Sequence, residues 1–310
     1  MLAASEAARR SVLLVEEPDR GTLVVRGPDR ATWLNGIVTA DVAKVAPGHG
    51  AFSLVLSKTG KVLSDLYVVA SDSALFLSVV PGASAELASY FDRMLVMEDA
   101  ELEDVTEGFV WLTLHGPRSS ALARKLALAS GGAEGSIDRT GLGGAALVVP
   151  RARLGDLPAL AAAEDADSVF ADAGAWELLR IERGVGRFGT DYGTDDNPHE
   201  AGLDQVAVSW SKGCYLGQEV VCMQGMRGKL KRRLVALALE GEAPPSPGMG
   251  VELPDGTRVG EVTSAAFSPR LGHAVALARL GGGALEGAPL LSVAGGPARL
   301  VARPESAPAD

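Results

Sequence analysis

The amino-acid sequence predicts an α+β protein in which two related α+β subdomains precede a C-terminal antiparallel β-barrel. The first observation is a repeat: segments 21–26 and 109–115 both read as a strand, and each runs into a Gly-Pro turn and then a helix. The second is a change of pattern after about Leu234, where short apolar segments alternate with turn residues. The repeat predicts two interleaved subdomains in residues 1–226, and the later pattern predicts the barrel in residues 227–310.

The first region contains further segments with the pattern of a single element. Asp29 is placed to cap the helix that follows the first Gly-Pro turn. Segment 58–61 has the composition of a hairpin turn, and Gly184 is a suitable end for a late helix. The predicted strands are 21–26, 51–56, 62–70, 74–80 and 109–115, and the predicted helices are one ending near Leu34, one over 83–97, one ending near Leu128 and one around Trp176.

The second region reads as a series of short strands and turns. Asp255-Gly256 is a strong hairpin signal. Strands are predicted over 259–266 and 273–280, and the residues after Arg303 read as a frayed tail. This pattern is typical of a small antiparallel barrel or sandwich.

The balance of charge limits the partners that the sequence predicts. The 310 residues are 47% apolar and 22% charged, as in an ordinary globular protein, and they carry a net charge of −10. Such a chain is a poor general binder of nucleic acid, because phosphate contacts dominate that affinity. One local exception is the basic run of residues 227–233, which holds five cations. This run is either a solvated strand edge or a surface that holds an anionic ligand tail or touches RNA.

The cysteines and the apolar runs predict the compartment. Cys214 and Cys222 are too few for a disulfide framework, and their spacing is not that of a zinc or cluster site. The apolar run of residues 12–15 is too short for a signal peptide, and no uncharged apolar run approaches the ~20 residues that span a bilayer. We therefore expect a cytoplasmic protein with no membrane contact and no metal site.

The segment Lys212–Glu219, with the sequence KGCYLGQE, holds the first candidate site. A nearby cation or helix N-terminus lowers the pKa of a thiol and so favours its reactive thiolate form. In an extended segment Lys212 and Cys214 share one face, and a helix opening at Gly217 would direct its free amides toward the thiol. The alternative is that Cys214 is a small buried apolar residue.

An acidic loop is the second candidate site. Asp191, Asp195, Asp196 and Glu200 place four carboxylates within ten residues that also contain glycine and proline. Carboxylates accept hydrogen bonds from N–H donors such as those on the edge of a pterin. On composition alone, however, the loop is more typical of a solvated surface.

Four blocks of this chain resemble the YgfZ family, whose members are folate-binding proteins related to the T-protein, the aminomethyltransferase of the glycine cleavage system. The resemblance covers most of the chain, and KGCYLGQE is its most specific block. Phe188-Gly189 stands where the superfamily usually has Tyr-Gly. The blocks are 27–42, 193–203, 212–219 and 260–269.

The resemblance implies a T-protein-like fold around a central pocket for tetrahydrofolate or a one-carbon derivative of it. It also implies that Cys214 is a reactive thiol activated by Lys212, and that the protein assists the assembly or repair of iron–sulfur proteins, either directly or through tRNA modification. The implied partners are folate, iron–sulfur enzymes or assembly factors, and tRNA through residues 227–233. The residues expected to bind the folate are Phe188, Asp191, Asp195, Glu200, Gln218, Glu219 and Arg227.

Two departures from the T-protein pattern bear on the activity. Residues 78–86 lack the Lys-Asp pair of that family, and residues 139–145 keep Arg-Thr-Gly but lose the later Tyr and Glu. These departures favour the YgfZ family over a genuine aminomethyltransferase. Two alternatives remain: a folate-dependent aminomethyltransferase or demethylase, and a non-enzymatic folate-binding scaffold in which Cys214 is structural.

Overall fold

The computed structural model of this protein describes residues 2–171, 173–227, 230–285 and 290–302. Within these ranges the chain forms a ten-stranded mixed sheet and a closed six-stranded barrel. The strands of the sheet are β1 (Leu13–Glu17), β2 (Gly21–Arg26), β3 (Gly48–Leu56), β4 (Val62–Ala70), β5 (Ala74–Val79), β6 (Glu101–Asp104), β7 (Phe109–His115), β8 (Ala133–Ser136), β9 (Gly144–Pro150) and β10 (Val169–Phe170). The strands of the barrel are β11 (Arg232–Leu239), β12 (Gly250–Glu252), β13 (Arg258–Ser268), β14 (His273–Gly281), β15 (Leu291–Val293) and β16 (Gly296–Val301).

Helices cover the sheet and connect it to the barrel. The α-helices are α1 (Leu2–Arg10), α2 (Arg30–Asn35), α3 (Ser84–Asp92), α4 (Ser119–Ser130), α5 (Leu157–Glu164), α6 (Ala173–Glu182) and α7 (Gln218–Arg227). Short 3₁₀ turns lie at Val42–Lys44, Thr106–Gly108, Arg151–Asp156 and Gly282–Leu285. In the described ranges, no helix combines the length and apolar character that a membrane crossing needs.

The large sheet consists of two halves with the same arrangement of strands. Its order is β10-β1-β7-β9-β8-β3-β4-β5-β2-β6. In one half β2 lies antiparallel between β5 and β6, and in the other β7 lies antiparallel between β9 and β1. The turns after β2 and β7 begin at Gly27 and Gly116, which both have positive φ and both touch a backbone oxygen that a Cβ would strike. The predicted pair of related α+β subdomains is therefore confirmed.

A close backbone contact joins the two halves of the sheet. Strands β3 and β8 pair in parallel only at Gly48 with Gly135 and at His49 with Ser136. A Cβ on Gly135 would lie 2.6 Å from the backbone nitrogen of Gly50. This seam needs glycine, because a side chain would push the two strands apart.

Two outer cores attach helices to the sheet, and an inner core fills the space between the halves and the barrel. Trp33 and Phe91 anchor α2 and α3 on the first half, and Leu126 and Leu157 anchor α4 and α5 on the second. The inner core includes Phe52, Trp111, Tyr192, Val208 and Leu277. The burial of these apolar side chains supplies the main driving force that holds the three parts together.

The barrel begins at Arg232 and closes through the pairing of β16 with β11. Its order is β11-β14-β13-β12-β15-β16. Alternate residues of β14 point inward and are small, namely Ala274, Ala276 and Ala278, all fully buried. Small inward residues allow a six-stranded barrel to close around a packed interior. The predicted antiparallel barrel is confirmed.

The predicted helix over 83–97 is wrong at its C-terminal end, since α3 stops at Asp92. The carboxylate of Glu98 accepts hydrogen bonds from the amides of Val96 and Met97. These bonds hold the chain in a turn that leads into β6. The helical spacing of apolar residues therefore extends beyond the last residue of α3, and this made the predicted helix too long.

Candidate functional site

A cavity of about 680 Å³ opens between the two halves of the sheet, beside the C-terminal ends of β1 and β5. Strand β1 and helix α6 supply part of its wall and β4 supplies another part, so both halves contribute. The volume is in the range of ordinary small-molecule sites. Its polar and aromatic lining includes Glu17, Arg20, Asp65, Tyr67, Arg139, Trp176, Arg180, Arg187 and Phe188.

A buried ion pair lies in the wall of the cavity. Arg20 donates from Nη2 to Asp65 Oδ1 at 2.6 Å, and Tyr192 donates its hydroxyl to Asp65 Oδ2 at 2.5 Å. Burial acts to raise the pKa of Asp65, but Arg20 and Arg139 outweigh it, so the pKa of this carboxyl lies below its usual range. Both oxygens of Asp65 are engaged, and Asp65 therefore serves as a fixed counter-ion.

Arg139 reaches the cavity from a tight turn. Asp138 shapes this turn, because its Oδ1 accepts the Gly141 amide at 2.8 Å. The Arg139 guanidinium donates to the Tyr67 hydroxyl at 3.1 Å and lies 3.9 Å from the centroid of the Phe52 ring. The Arg-Thr-Gly sequence shared with the T-protein thus places a cation in the cavity wall.

Glu17 brings a carboxyl group to the cavity from the end of β1. Burial raises the pKa of this carboxyl above its ordinary value, against the opposing effect of Arg20. In the described part of the chain, this carboxyl has no hydrogen-bond or ion-pair partner. It is therefore available to a ligand that offers N–H donors.

Two aromatic rings give the cavity a stacking surface. Trp176 lies flat on His115, with ring centroids 4.4 Å apart and an angle of 8° between the planes. Burial lowers the pKa of His115 to about 3, so a neutral ring supports the tryptophan. Phe188 meets Tyr192 edge-on with centroids 5.8 Å apart. The structure therefore brings Phe188, a predicted folate-binding residue, to the cavity.

Asp191 is fully buried and joins α6 to the barrel. It accepts hydrogen bonds from Arg180 Nη1 at 2.7 Å, from Thr263 Oγ1 at 2.6 Å and from Ser264 Oγ at 2.7 Å. The backbone amide of Arg187 adds a fourth bond at 2.8 Å. With its acceptor sites occupied and no place in the cavity lining, Asp191 is a structural anchor in this fold.

The other two predicted acids also lie outside the cavity lining. Asp195 is exposed, and its backbone oxygen accepts a hydrogen bond from Lys61 Nζ at 2.7 Å. Glu200 is buried and exchanges hydrogen bonds with Asn197: its carboxylate accepts the Asn197 amide, and the Asn197 side chain accepts the Glu200 amide. These bonds stabilise the loop backbone and leave no acid of the loop facing the cavity.

Lys212 binds backbone oxygens rather than the thiol of Cys214. Its Nζ donates to the carbonyl oxygens of Asn35, Val38 and Ala40 at 2.6, 2.8 and 2.8 Å. The Asn35 carbonyl belongs to the last turn of α2, where carbonyls lack intrahelical partners, and the Val38 and Ala40 carbonyls lie in the loop that follows. Burial lowers the pKa of Lys212 to about 8. All three ammonium donors are used, so Lys212 is an anchor for this segment, and its expected role as thiol activator stays a prediction.

The two cysteines differ in exposure. Cys214 is exposed in a segment without regular structure, so the extended geometry considered for residues 212–214 is not adopted as a strand. Cys222 is partly buried within α7. The alternative in which Cys214 is a buried apolar residue is therefore wrong.

The remaining predicted residues belong to α7. The helix begins at Gln218, close to the predicted start, and the Gln218 side chain accepts the Tyr215 amide at 3.4 Å. Glu219 is exposed in the first turn of the helix. Arg227 ends α7, and its side chain lies outside the described residues. Neither Gln218 nor Glu219 lines the cavity.

Sequence reasoning missed most of the cavity. Glu17 ends β1, Arg20 lies in the turn before β2 and Asp65 lies in β4, so no local spacing marks the three as a group. The sequence signal that could have located the cavity was Arg139, which belongs to the part of the T-protein pattern that this chain keeps. Trp176 was assigned only to a helix, because helical spacing does not show which face a cavity occupies.

Models of two protein families match this chain. The model described as the GCVT N-terminal domain matches residues 2–138, and that of the glycine cleavage T-protein C-terminal barrel domain matches residues 232–304. Among curated relatives, the aminomethyltransferase of Frankia alni is 31% identical over 93% of this chain and 83% of its own length. That of Rubrobacter xylanophilus is 30% identical over 88% of this chain and 77% of its own length.

A solved structure shows the same fold. The glycine cleavage system aminomethyltransferase T from Bartonella henselae superimposes with a TM-score of 0.80, over 98% of this chain and 88% of that one. Its sequence identity is 20%, so this likeness concerns the fold alone.

Proposed function

This chain belongs to the glycine cleavage T-protein family, and from that premise we propose that its central cavity binds a reduced folate for one-carbon transfer. The observation that carries the proposal is the carboxyl of Glu17, which faces a cavity with aromatic walls and has no partner among the described residues. The aminopyrimidine edge of a pterin offers the N–H donors that such a carboxylate accepts. Trp176 and Phe188 supply aromatic faces for the flat ring.

The charges of the cavity suit the rest of the ligand. Arg187 is exposed, lines the cavity and pairs through Nη2 with Glu177 of α6. Its remaining N–H donors can bind a carboxylate of the folate glutamate tail. Deeper in, Arg20 is neutralised by Asp65, and Arg139 is committed to the Tyr67 hydroxyl. A ligand with one polar edge and an anionic tail therefore matches the groups that remain available.

The departures from the T-protein pattern limit which side chains of this chain can act as an acid or a base in one-carbon transfer. Pro81, from the segment that lacks the Lys-Asp pair, lines the cavity without supplying an acid. Asp65 is held in its ion pair with Arg20. Glu16 and Asp19 also line the cavity, but both are exposed to solvent. Glu17 is then the partly buried, unpaired carboxyl of the described lining that can exchange a proton with a bound folate.

Calorimetric titration with tetrahydrofolate tests the proposal. Wild-type protein should bind, and Glu17→Gln should raise Kd by about 10-fold or more, because a hydrogen bond to a charged group contributes about 1.5–3 kcal/mol. Glu86→Gln changes an exposed carboxyl on α3 outside the cavity lining and should bind like wild type. Formation of methylenetetrahydrofolate from an aminomethyl donor then tests transfer. No binding by wild type at millimolar ligand would overturn the folate site.

A second candidate is thiol-dependent assistance to iron–sulfur enzymes or their assembly factors, with or without a role in tRNA modification, as in the YgfZ branch of the superfamily. The observation that favours it is the exposed Cys214 within the KGCYLGQE block. In a complementation assay for iron–sulfur enzyme activity, Cys214→Ser should fail and Cys222→Ser should succeed. Full complementation by Cys214→Ser would exclude a thiol-dependent role.

A further inference from the structure

Three arginines from three strands of the barrel line a second pocket. Arg232 begins β11, Arg258 begins β13 and Arg279 lies near the end of β14. All three line an open pocket of about 400 Å³, together with Val259, Gly260, Glu261 and Gly281. This pocket shares none of its lining with the central cavity, and the folate proposal does not use it.

Two of the arginines are fixed by one aspartate. Arg232 donates from Nε to Asp196 Oδ1 at 2.9 Å, and Arg279 donates from Nη2 to Asp196 Oδ2 at 2.6 Å. Arg232 also donates from Nη2 to the Asp195 carbonyl oxygen, and Arg279 donates from Nε to the Asp191 carbonyl oxygen. Each guanidinium is therefore held along the edge formed by Nε and Nη2.

The third arginine is fixed in the same manner. Arg258 donates from Nε to the Gly260 carbonyl oxygen at 3.3 Å, and from Nη2 to the Gly248 carbonyl oxygen and Glu261 Oε2, both at 3.2 Å. Its edge formed by Nε and Nη2 is again the occupied one. The three side chains are thus oriented before any ligand arrives.

The opposite side of each guanidinium carries unused donors. In the described part of the chain, Nη1 of Arg232, Arg258 and Arg279 has no hydrogen-bond partner. Three cations here face two carboxylates, those of Asp196 and Glu261, which leaves a local positive charge in a chain whose net charge is −10. Donors already held in place lose little freedom on binding, so the pocket is prepared for an oxyanion.

Glycine keeps the pocket open between the arginines. Gly260 lies so close to the next strand that a Cβ would stand 2.1 Å from the Arg279 carbonyl oxygen. Gly281 pairs with Arg232 across the β11–β14 ladder and adds no side chain to the lining. A ligand in the pocket therefore meets backbone between the guanidinium groups.

We propose that this pocket binds a phosphate group. A phosphate offers several acceptor oxygens, and guanidinium groups bind such oxygens with strong, charge-assisted hydrogen bonds. A small polyphosphate and a nucleic-acid backbone both carry this group, so the two share this chemistry. Arg232 is a member of the basic run 227–233, so the site includes part of the segment predicted to touch tRNA.

Two matched variants test the site. Arg258 and Arg153 both form an exposed i,i+3 ion pair at 3.2 Å, Arg258 with Glu261 in the pocket and Arg153 with Asp156 elsewhere. Titration with inorganic pyrophosphate at low salt should show binding by wild type. Arg258→Gln should weaken it at least tenfold, about 1.4 kcal/mol, and Arg153→Gln should leave it unchanged. The melting temperature checks that both variants fold.

A second arm with a short single-stranded RNA distinguishes the sources of phosphate. Tighter, salt-sensitive binding of RNA that depends on Arg258 would identify a nucleic-acid backbone as the ligand. Pyrophosphate binding without RNA binding would identify a small phosphate compound. The proposal is overturned if wild type binds neither probe at millimolar concentration, or if Arg258→Gln and Arg153→Gln bind alike.

Discussion

The pKa values of two carboxyl groups at the same cavity are shifted in opposite directions because their neighbours differ. Burial raises the pKa of Glu17, and Arg20 only partly opposes this effect. Burial acts on Asp65 as well, but the direct bond from Arg20 and the Tyr192 hydroxyl help to bring its pKa below the usual range. Such a divergence separates a fixed counter-ion from a group that can accept or release a proton.

The first prediction concerns the pH dependence of folate affinity. The N–H donors of a pterin bind the ionised carboxyl of Glu17, so affinity should rise as pH increases through its raised pKa, above the ordinary value of 4.5, and then level off. Calorimetry across a pH series measures this. Glu17→Gln should bind more weakly, with that pH dependence removed. An unchanged pH profile in the variant would contradict the role of Glu17.

The same shift has a consequence for the stability of the free protein. A carboxyl whose pKa is raised by folding favours the folded state while it is protonated, and this contribution is lost as pH rises through the folded-state pKa. At neutral pH, Glu17→Gln should therefore have a free energy of unfolding no lower than that of wild type. Chemical denaturation measures this, and a large loss of stability would mean that Glu17 is structural.

The second prediction concerns Lys212. Replacing it with methionine removes the donors to the carbonyl oxygens of Asn35, Val38 and Ala40, so the free energy of unfolding should fall by about 1–3 kcal/mol. Lys58→Met, at an exposed position in the β3–β4 hairpin, is the control and should change little. Urea denaturation measures both variants.

Alkylation of Cys214 separates the anchor role from thiol activation. Cys214 is exposed and should react faster than the partly buried Cys222. If Lys212 is an anchor, Lys212→Met should not slow this reaction. Unchanged stability together with slower alkylation would restore the role of Lys212 as an activator.

At the scale of elements, the acidic loop connects α6 to the barrel. Asp191 accepts hydrogen bonds from Arg180 of α6 and from Thr263 and Ser264 of β13. The carboxylate of Asp196 accepts hydrogen bonds from arginines of two other barrel strands, β11 and β14. The clustering of acids in this loop therefore reflects the number of cations and hydroxyls that converge there, and it fixes how the barrel sits against the large sheet.

The third prediction compares two acids of this loop. Asp191→Asn leaves the buried guanidinium of Arg180 without its carboxylate at Asp191, and the free energy of unfolding should fall by about 3–5 kcal/mol. Asp195→Asn changes an exposed side chain and should cost little. Equilibrium denaturation in urea gives both values. Equal effects in the two variants would show that Asp191 is not the junction described above.

At the scale of the whole molecule, the halves of the sheet meet along a short seam, and the cavity lies where the halves and α6 converge. The seam depends on the approach of Gly135 to the backbone of Gly50. Any change that spreads the seam also alters the distance between Glu17 on β1 and Asp65 on β4, which belong to different halves.

The fourth prediction tests that dependence. Gly135→Ala places a Cβ 2.6 Å from the Gly50 nitrogen, and the displacement of backbone should destabilise the protein by about 1–3 kcal/mol. Gly155→Ala is the control, since a Cβ there meets nothing within 4 Å. Thermal melts measure stability, and tetrahydrofolate titration measures the cavity. Wild-type stability and binding in Gly135→Ala would show that the seam tolerates a side chain.

The sequence alone determined the repeated strand, Gly-Pro turn and helix, the barrel after Leu234 and the start of α7 near Gln218. These features depend on local rules: alternation along a strand, the positive φ that glycine permits, and the spacing of apolar side chains along a helix. Local rules also overextended the helix predicted over 83–97, because apolar spacing does not distinguish a helix from a turn that packs on the same core.

Only the tertiary structure decided which charged residues share a site. It brought Glu17, Arg20, Asp65 and Arg139 to one cavity and directed Asp191 to the barrel. It also turned Lys212 toward the carbonyl oxygens of α2's last residue and of the loop that follows. The physical reason is that burial and ion pairing act through space, between residues separated by tens of positions along the chain, whereas a sequence pattern records only neighbours.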